Sequence, residues 1–137
     1  MGLDVGDKTI GIAISDELLL TAQVRPTIRR KNLKGDLETI RRLAVENEVL
    51  EVVVGQPLHM AGSPSAQGRR VERFVEELRQ AIDLPIVFWD ERLTSFEAEQ
   101  HLEQMGLNWR QRRQQVDKIA AVIILQNYLD SRPGRTA

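Results

Sequence analysis

Three acidic positions fall where packing alone gives no reason for a charge. In Gly2-Leu3-Asp4-Val5-Gly6, strand alternation puts Leu3 and Val5 on one face and Gly2, Asp4 and Gly6 on the other. An ionised carboxylate on a covered sheet costs several kcal/mol unless it finds a partner, and the flanking glycines leave room for a metal ion or a backbone. Asp90-Glu91 directly follows the apolar run Pro85 to Trp89, a place suited to ligands at a strand's carboxyl end. Spacing alone does not choose between these two, because they point to opposite faces. Asp117 precedes the apolar stretch Ile119 to Leu125, in a helix too apolar to face water. Each position has a plainer explanation: Asp4 on a solvated edge strand, a charged strand end, and Asp117 as an N-cap.

Taken together, the three suggest carboxylates meeting over one sheet. Such a cluster needs cations, and hard cations take oxygen ligands. With no Cys, and with His only at His59 and His101, Mg²⁺ or Mn²⁺ fits better than zinc. Two such ions about 3.5–4 Å apart activate a water and stabilise the leaving oxygen of a phosphodiester.

The elements that must position these acids follow from periodicity. Gly2 to Gly6 and Thr9 to Ser15 read as strands joined by a tight turn at Gly6-Asp7-Lys8. Thr21 to Arg29 reads as a third strand, with Pro26 placing it near an edge or a bulge. Leu37, Ile40, Leu43 and Ala44 predict a helix from about Gly35 to Asn47. Glu51 to Gly55 reads as a short buried strand, followed by a polar loop, Gln56 to Ser63. Ser63-Pro64 has the form of an N-cap and first helical residue, opening a helix with Val71, Phe74, Val75, Leu78 and Ile82 on one face. Pro85 to Trp89 is another buried strand. Thr94 and Glu97 fit a capping box for a helix ending at Gly106. The last helix spans about Asn108 to Asp130, and the tail 131–137 reads as disordered. The implied fold class is α/β: one domain over residues 1–130, with an antiparallel start, later strands parallel, and helices on the faces.

Composition narrows the function classes. The chain has 137 residues, 19 Lys+Arg and 20 Asp+Glu, hence a net charge of −1. A charge so near zero gives no global pull toward nucleic acid, so such binding must come from local patches. The absence of Cys excludes a disulfide scaffold, a Cys-ligated zinc module and thiol nucleophile chemistry. No apolar run approaches the roughly 18 residues of a membrane span, and no secretory signal opens the chain. The expectation is a soluble, cytoplasmic protein.

Four segments carry a family resemblance: Leu3 to Asp16 (LDVGDKTIGIAISD), Val52 to Gln67 (VVVGQPLHMAGSPSAQ), Asp90 to Ser95 (DERLTS) and Val116 to Leu129 (VDKIAAVIILQNYL). In order and spacing they resemble the YqgF/RuvX family of the RNase H-like superfamily, related to the RuvC Holliday-junction resolvases. The resemblance implies an RNase H-like fold with a five-stranded mixed sheet flanked by helices. It places the family's acidic triad, the metal ligands and catalytic groups, on Asp4, Glu91 and Asp117, and so selects Glu91 over Asp90. It implies a bacterial cytoplasmic nuclease of the 16S rRNA precursor, with a branched-DNA resolvase as the rival activity and Mg²⁺ or Mn²⁺ as cofactor. Where family members often carry a basic residue after the lysine of the first motif, this chain has Thr9 after Lys8. RuvC-type and RNase H-type sites generally hold a fourth acid. None stands out in this sequence.

Basic residues mark where nucleic acid would lie. Lys8 and Arg92 belong to the acid-bearing motifs, although Arg92 could instead pair with either neighbouring acid. Arg110, Arg112, Arg113 and Lys118 surround Asp117, and Arg25, Arg29, Arg30, Lys31 and Lys34 form a second run. Such patches bind phosphates without reading sequence, although a basic run is more often a solvated surface. Arg69, Arg70 and Arg73 alternate with Glu72, Glu76 and Glu77 and read as a salt-bridged helix face. His59, in the polar loop, reads as solvent-exposed. The expected partners are an rRNA precursor or branched DNA and the ribosome, with the protein a monomer or weak homodimer. Rival classes are a non-catalytic RNA- or ribosome-binding factor and an actin-like ATPase; the latter needs a second lobe that 137 residues do not supply.

Overall fold

The computed structural model describes residues 1–59, 61–91, 106 and 109–132, with side chains in the last stretch from residue 119 onward. The first strand, β1 (Gly2–Val5), runs antiparallel to β2 (Thr9–Ser15). Their turn is closed by the Gly6 N–H donating to the Thr9 carbonyl at 2.8 Å. A second hairpin leads to β3 (Ala22–Arg29). At its tip the Asp16 carboxylate accepts from the Leu20 and Thr21 N–H groups at 2.8 and 3.2 Å. These two bonds favour the ionised form and hold the Asp16 carboxyl below its ordinary range.

After β3 come helix α1 (Leu33–Glu46), β4 (Val52–Gln56), α2 (Ala66–Ala81), β5 (Ile86–Asp90) and α3 (Trp109–Ser131). The sheet order is β3-β2-β1-β4-β5, with β1, β4 and β5 mutually parallel. This is the five-stranded mixed sheet of an α/β, RNase H-like fold. Pro26 sits both on an edge strand and at a register shift opposite Ile10 and Ile12, where its missing N–H breaks no ladder bond.

Strand alternation divides the core in two. Leu3, Val5, Ile10, Ile12, Ile14, Val52 and Val54 face α1 and α2 and pack with Ile40, Val71, Phe74 and Leu78. Ala13 and Val53 face α3 and pack with Ala121, Ile124, Leu125 and Leu129. Each fully buried Val, Leu or Ile contributes about 1.5–3 kcal/mol of transfer free energy. The α3 side is lined by small residues, so that helix lies close. A Cβ on Gly2 would sit 2.8 Å from Leu125 Cβ and 2.9 Å from the Ala121 carbonyl. Gln126 fastens α3 to the second hairpin, its Oε1 accepting from Ala22 N–H at 2.9 Å and its Nε2 donating to Leu20 O at 3.0 Å. Trp89 meets Tyr128 edge-on with ring centroids 6.1 Å apart, tying α3 to β5.

Several boundaries differ from the sequence expectation. Helix α2 is capped by Ser65, whose side chain accepts from Gly68 N–H, and not by Ser63. Pro64 bridges Leu58 across the loop, which keeps residues 63 and 64 out of the helix. Helix α1 begins at Leu33, two residues before Gly35, because Asn32 caps it by accepting from Gly35 N–H at 2.7 Å. Ser131 ends α3 and Arg132 follows it; the rest of the expected tail lies outside the described residues. So does the expected helix with Thr94 and Glu97, except Gly106, whose φ is +75°.

Candidate active site

Alternation carries two acids to the α3 face at one edge of the sheet. On β1 the α3-facing positions are Gly2 and Asp4. On β5 they are Val87 and Trp89, and Glu91, one residue past the strand, turns its side chain into the space over Gly55. Between them lies β4, whose α3-facing positions are Val53 and Gly55. Gly55 has no side chain, and the carboxyl of Glu91 occupies the space. A Cβ on Gly55 would lie 2.6 Å from Glu91 Oε1, 2.7 Å from Glu91 Cγ and 2.6 Å from Ile124 Cδ1. Thus Glu91 reaches across β4 and hydrogen-bonds Asp4. On the other side Asp4 is in register with Gly11 of β2, so glycines flank it in both neighbouring strands.

The electrostatics follow from this arrangement. Glu91 is largely buried, shares a hydrogen bond with Asp4, and feels the charges of Asp4 and Asp90. Desolvation is the largest cause, and together these push its carboxyl from 4.5 up to about 9. In the metal-free protein, burial and the adjacent Asp4 thus favour the protonated form of Glu91, which shares a hydrogen bond with Asp4. Asp90, the last residue of β5, is in register with Gln56. Spacing left Asp90 and Glu91 equal; geometry makes Glu91 the one that meets Asp4.

Asp117 belongs to the described backbone of α3, one turn before Ala121 and two before Ile124, but its side chain lies outside the described residues. The same holds for Arg110, Arg112, Arg113 and Lys118, and Arg92 lies wholly outside them. Among the described residues, no group of three or more His, Asp or Glu comes together. Lys8 is exposed in the β1–β2 turn, just beyond the carboxyl end of β1.

The basic run between Arg25 and Lys34 is partly structural. Arg30 Nε pairs with the buried Asp36 at 3.1 Å, its Nη1 donates to Gly6 O at 2.9 Å, and its guanidinium stacks over Phe74 at 5.1 Å. Sequence reading missed Asp36, because an acid in the first turn of a helix is unremarkable until burial is known. The loop after β4 is a closed turn: His59 N–H donates to Ser63 O at 2.7 Å and Gly62 N–H to His59 O at 2.8 Å.

Half-buried oxygen donors that hold a proton between them, in a recess walled by glycine, suit a hard divalent cation. The cation would take the proton's place and relieve the repulsion between the two carboxylates.

A mixed sheet in the order 3-2-1-4-5, with one acid on its first strand and another just past its fifth, defines an RNase H-like protein. Comparison with known proteins makes this particular. The profile of the RuvX family, described as Holliday junction resolvase, matches residues 1–131. A protein of Thermoanaerobacter pseudethanolicus named "Putative pre-16S rRNA nuclease" is 49% identical over 136 residues, covering 98% of each chain. Proteins of the same name from Caldanaerobacter subterraneus subsp. tengcongensis and Desulforamulus reducens are 49% and 46% identical, each covering 96% of this chain and 95% and 96% of their own. The chain belongs to the RuvX family.

Proposed function

We propose that this protein is a nuclease that hydrolyses phosphodiester bonds in structured nucleic acid, with the 5′ region of the 16S rRNA precursor as its substrate. The meeting of Asp4 and Glu91 across Gly55 carries this reading, and the name the relatives carry supports the substrate. Among the described residues no helix is long and apolar enough to cross a membrane, and we place the protein in the cytoplasm, where ribosomes are assembled.

Asp4, Glu91 and Asp117 would hold Mg²⁺ or Mn²⁺. When bound, such an ion supplies Lewis-acid polarisation of the phosphoryl oxygen and acidifies a water. The chain's own part is to bind and orient. Asp4 offers its carboxylate from a rigid central strand. Glu91 gives up the shared proton and offers its oxygens above Gly55. Asp90 adds negative potential behind them. Lys8, Arg92 and the basic residues of α3 at Arg110, Arg112, Arg113 and Lys118 would take the phosphates beside the cleaved bond.

The family description favours a second substrate, a four-way DNA junction. One experiment separates the two: purified protein and its Asp4→Asn variant are incubated with labelled rRNA precursor, single-stranded RNA and a DNA junction under Mn²⁺. Cleavage of precursor that Asp4→Asn abolishes supports the rRNA reading. Paired, symmetric nicks on the junction alone support the resolvase. A folded Asp4→Asn variant that cleaves normally removes Asp4 from the mechanism.

A further inference from the structure

Helix α2 does not have the surface its sequence suggests. In Arg69-Arg70-Val71-Glu72-Arg73, arginines at i and i+4 share one helical face and the glutamates were expected to neutralise them. The structure pairs them differently. Glu72 accepts from Gln56 Nε2 at 2.7 Å, on the side facing β4. Arg70 donates to Gln67 Oε1 at 2.9 Å and pairs with Asp7 at 3.4 Å. Arg69 and Arg73 are exposed and make no ion pair among the described residues. With His59, Pro64, Ala66 and Arg70 they line a groove of about 440 Å³.

The position of this groove matters as much as its charge. The start of α2 is fastened to the edge of the sheet that carries the acids. Gln67 Nε2 donates to the carbonyl of Val5, the residue after Asp4, at 3.1 Å. Ser65 Oγ donates to Pro57 O at 3.1 Å, just past β4. The pairing of Arg70 with Asp7 offsets the one acid in the adjacent β1–β2 turn, leaving Lys8 as that turn's uncompensated charge. Beyond Arg73 the surface changes sign at Glu76 and Glu77, which border the adjoining groove and so limit the basic track to the first turns of α2. An open groove with exposed guanidinium groups suits a chain of phosphates passing by, each taken by a forked donor.

We propose that the His59–Arg69–Arg73 groove binds the sugar-phosphate backbone of the substrate polynucleotide away from the cleaved bond. It would extend the nucleic-acid path from the sheet edge onto α2, on the face opposite α3. The inference rests on the nuclease reading, and its test is chosen to fail separately from it.

The test compares the full-length protein with Arg69→Ala/Arg73→Ala and, as a control of equal charge change, Arg41→Ala/Arg42→Ala on α1. Arg41 and Arg42 pair with Glu38 and Glu46. The probes are a labelled RNA spanning the 5′ end of the 16S rRNA precursor and a labelled four-way DNA junction. Affinity is measured against KCl concentration without divalent metal, and circular dichroism checks the fold. Loss of two phosphate contacts flattens the log–log salt slope by about 1.5. It weakens binding about tenfold at low salt and raises KM in parallel while leaving kcat unchanged. The α1 control keeps the wild-type slope. An unchanged slope in Arg69→Ala/Arg73→Ala, or an equal change in the α1 control, overturns the groove. Absence of metal-dependent cleavage by the wild-type protein overturns the nuclease reading instead, and the salt slopes still decide the groove.

Discussion

Asp4 on β1 and Glu91, one residue past β5, come from strands that are not neighbours, yet their carboxyls share a hydrogen bond because Gly55, on the strand between, carries no side chain. In the metal-free protein this contact favours the protonated form of Glu91. Much of the protein's expected behaviour follows from that constraint.

Asp4→Asn should abolish metal-dependent cleavage while leaving the fold intact. The amide is nearly isosteric and its oxygen still accepts a hydrogen bond from Glu91, so the metal-free variant should melt near the wild-type temperature. A cleavage assay beside a thermal melt checks both, and a folded, fully active variant would contradict the assignment.

Stability should depend on pH through Glu91. Its carboxyl is raised from 4.5 to about 9 in the folded protein, so between these values the folded state holds a proton that the unfolded state has released. The stabilisation from this group is therefore complete below about 4.5 and is lost as pH rises toward 9. Glu91→Gln should remove this component. Denaturant melts of both proteins between pH 5 and 9, read as their difference, measure it.

Divalent metal should act in the opposite sense. A cation at Asp4 and Glu91 displaces the shared proton, so stabilisation by Mg²⁺ or Mn²⁺ should grow with pH. It should reach about 2.7 kcal/mol at a hundredfold excess over Kd. Titration calorimetry in two buffers of different ionisation enthalpy should detect the released proton, and Glu91→Gln should suppress that release.

Gly55→Ala tests the space itself. The added methyl would fall 2.6 Å from both Glu91 Oε1 and Ile124 Cδ1. Neither neighbour can retreat freely, since Ile124 is fully buried in the α3 core. The expected cost is about 1–3 kcal/mol of stability, with a loss of activity greater than the fraction unfolded explains. A variant as stable and active as wild type would mean that Glu91 has another route to Asp4.

Asp36→Ala should destabilise the protein by about 2–3 kcal/mol by leaving the partly buried guanidinium of Arg30 without its counter-charge. Urea denaturation measures this. The salt dependence of nucleic-acid binding should change little, because Arg30 is directed at Gly6 and Phe74.

Much of this architecture is legible in the residues alone. Period-two alternation in β1 places Leu3 and Val5 against the helices and Asp4 on the other side, because successive Cβ atoms in a strand must point oppositely. The bounds of β2 and the edge placement of Pro26 follow from equally local rules. Local rules do not decide which distant groups meet. Whether Asp90 or Glu91 joins Asp4 depends on the parallel register of β4 with β5 and on a glycine in the intervening strand. Burial of Asp36 and the bare guanidinium groups of Arg69 and Arg73 likewise depend on partners far along the chain: Gln56 takes Glu72, and Asp7 takes Arg70. The pattern of apolar and polar residues specifies which face each side chain occupies. The packing of strands and helices sets the distances between charges, and with them which acid keeps its proton and which cation stays exposed.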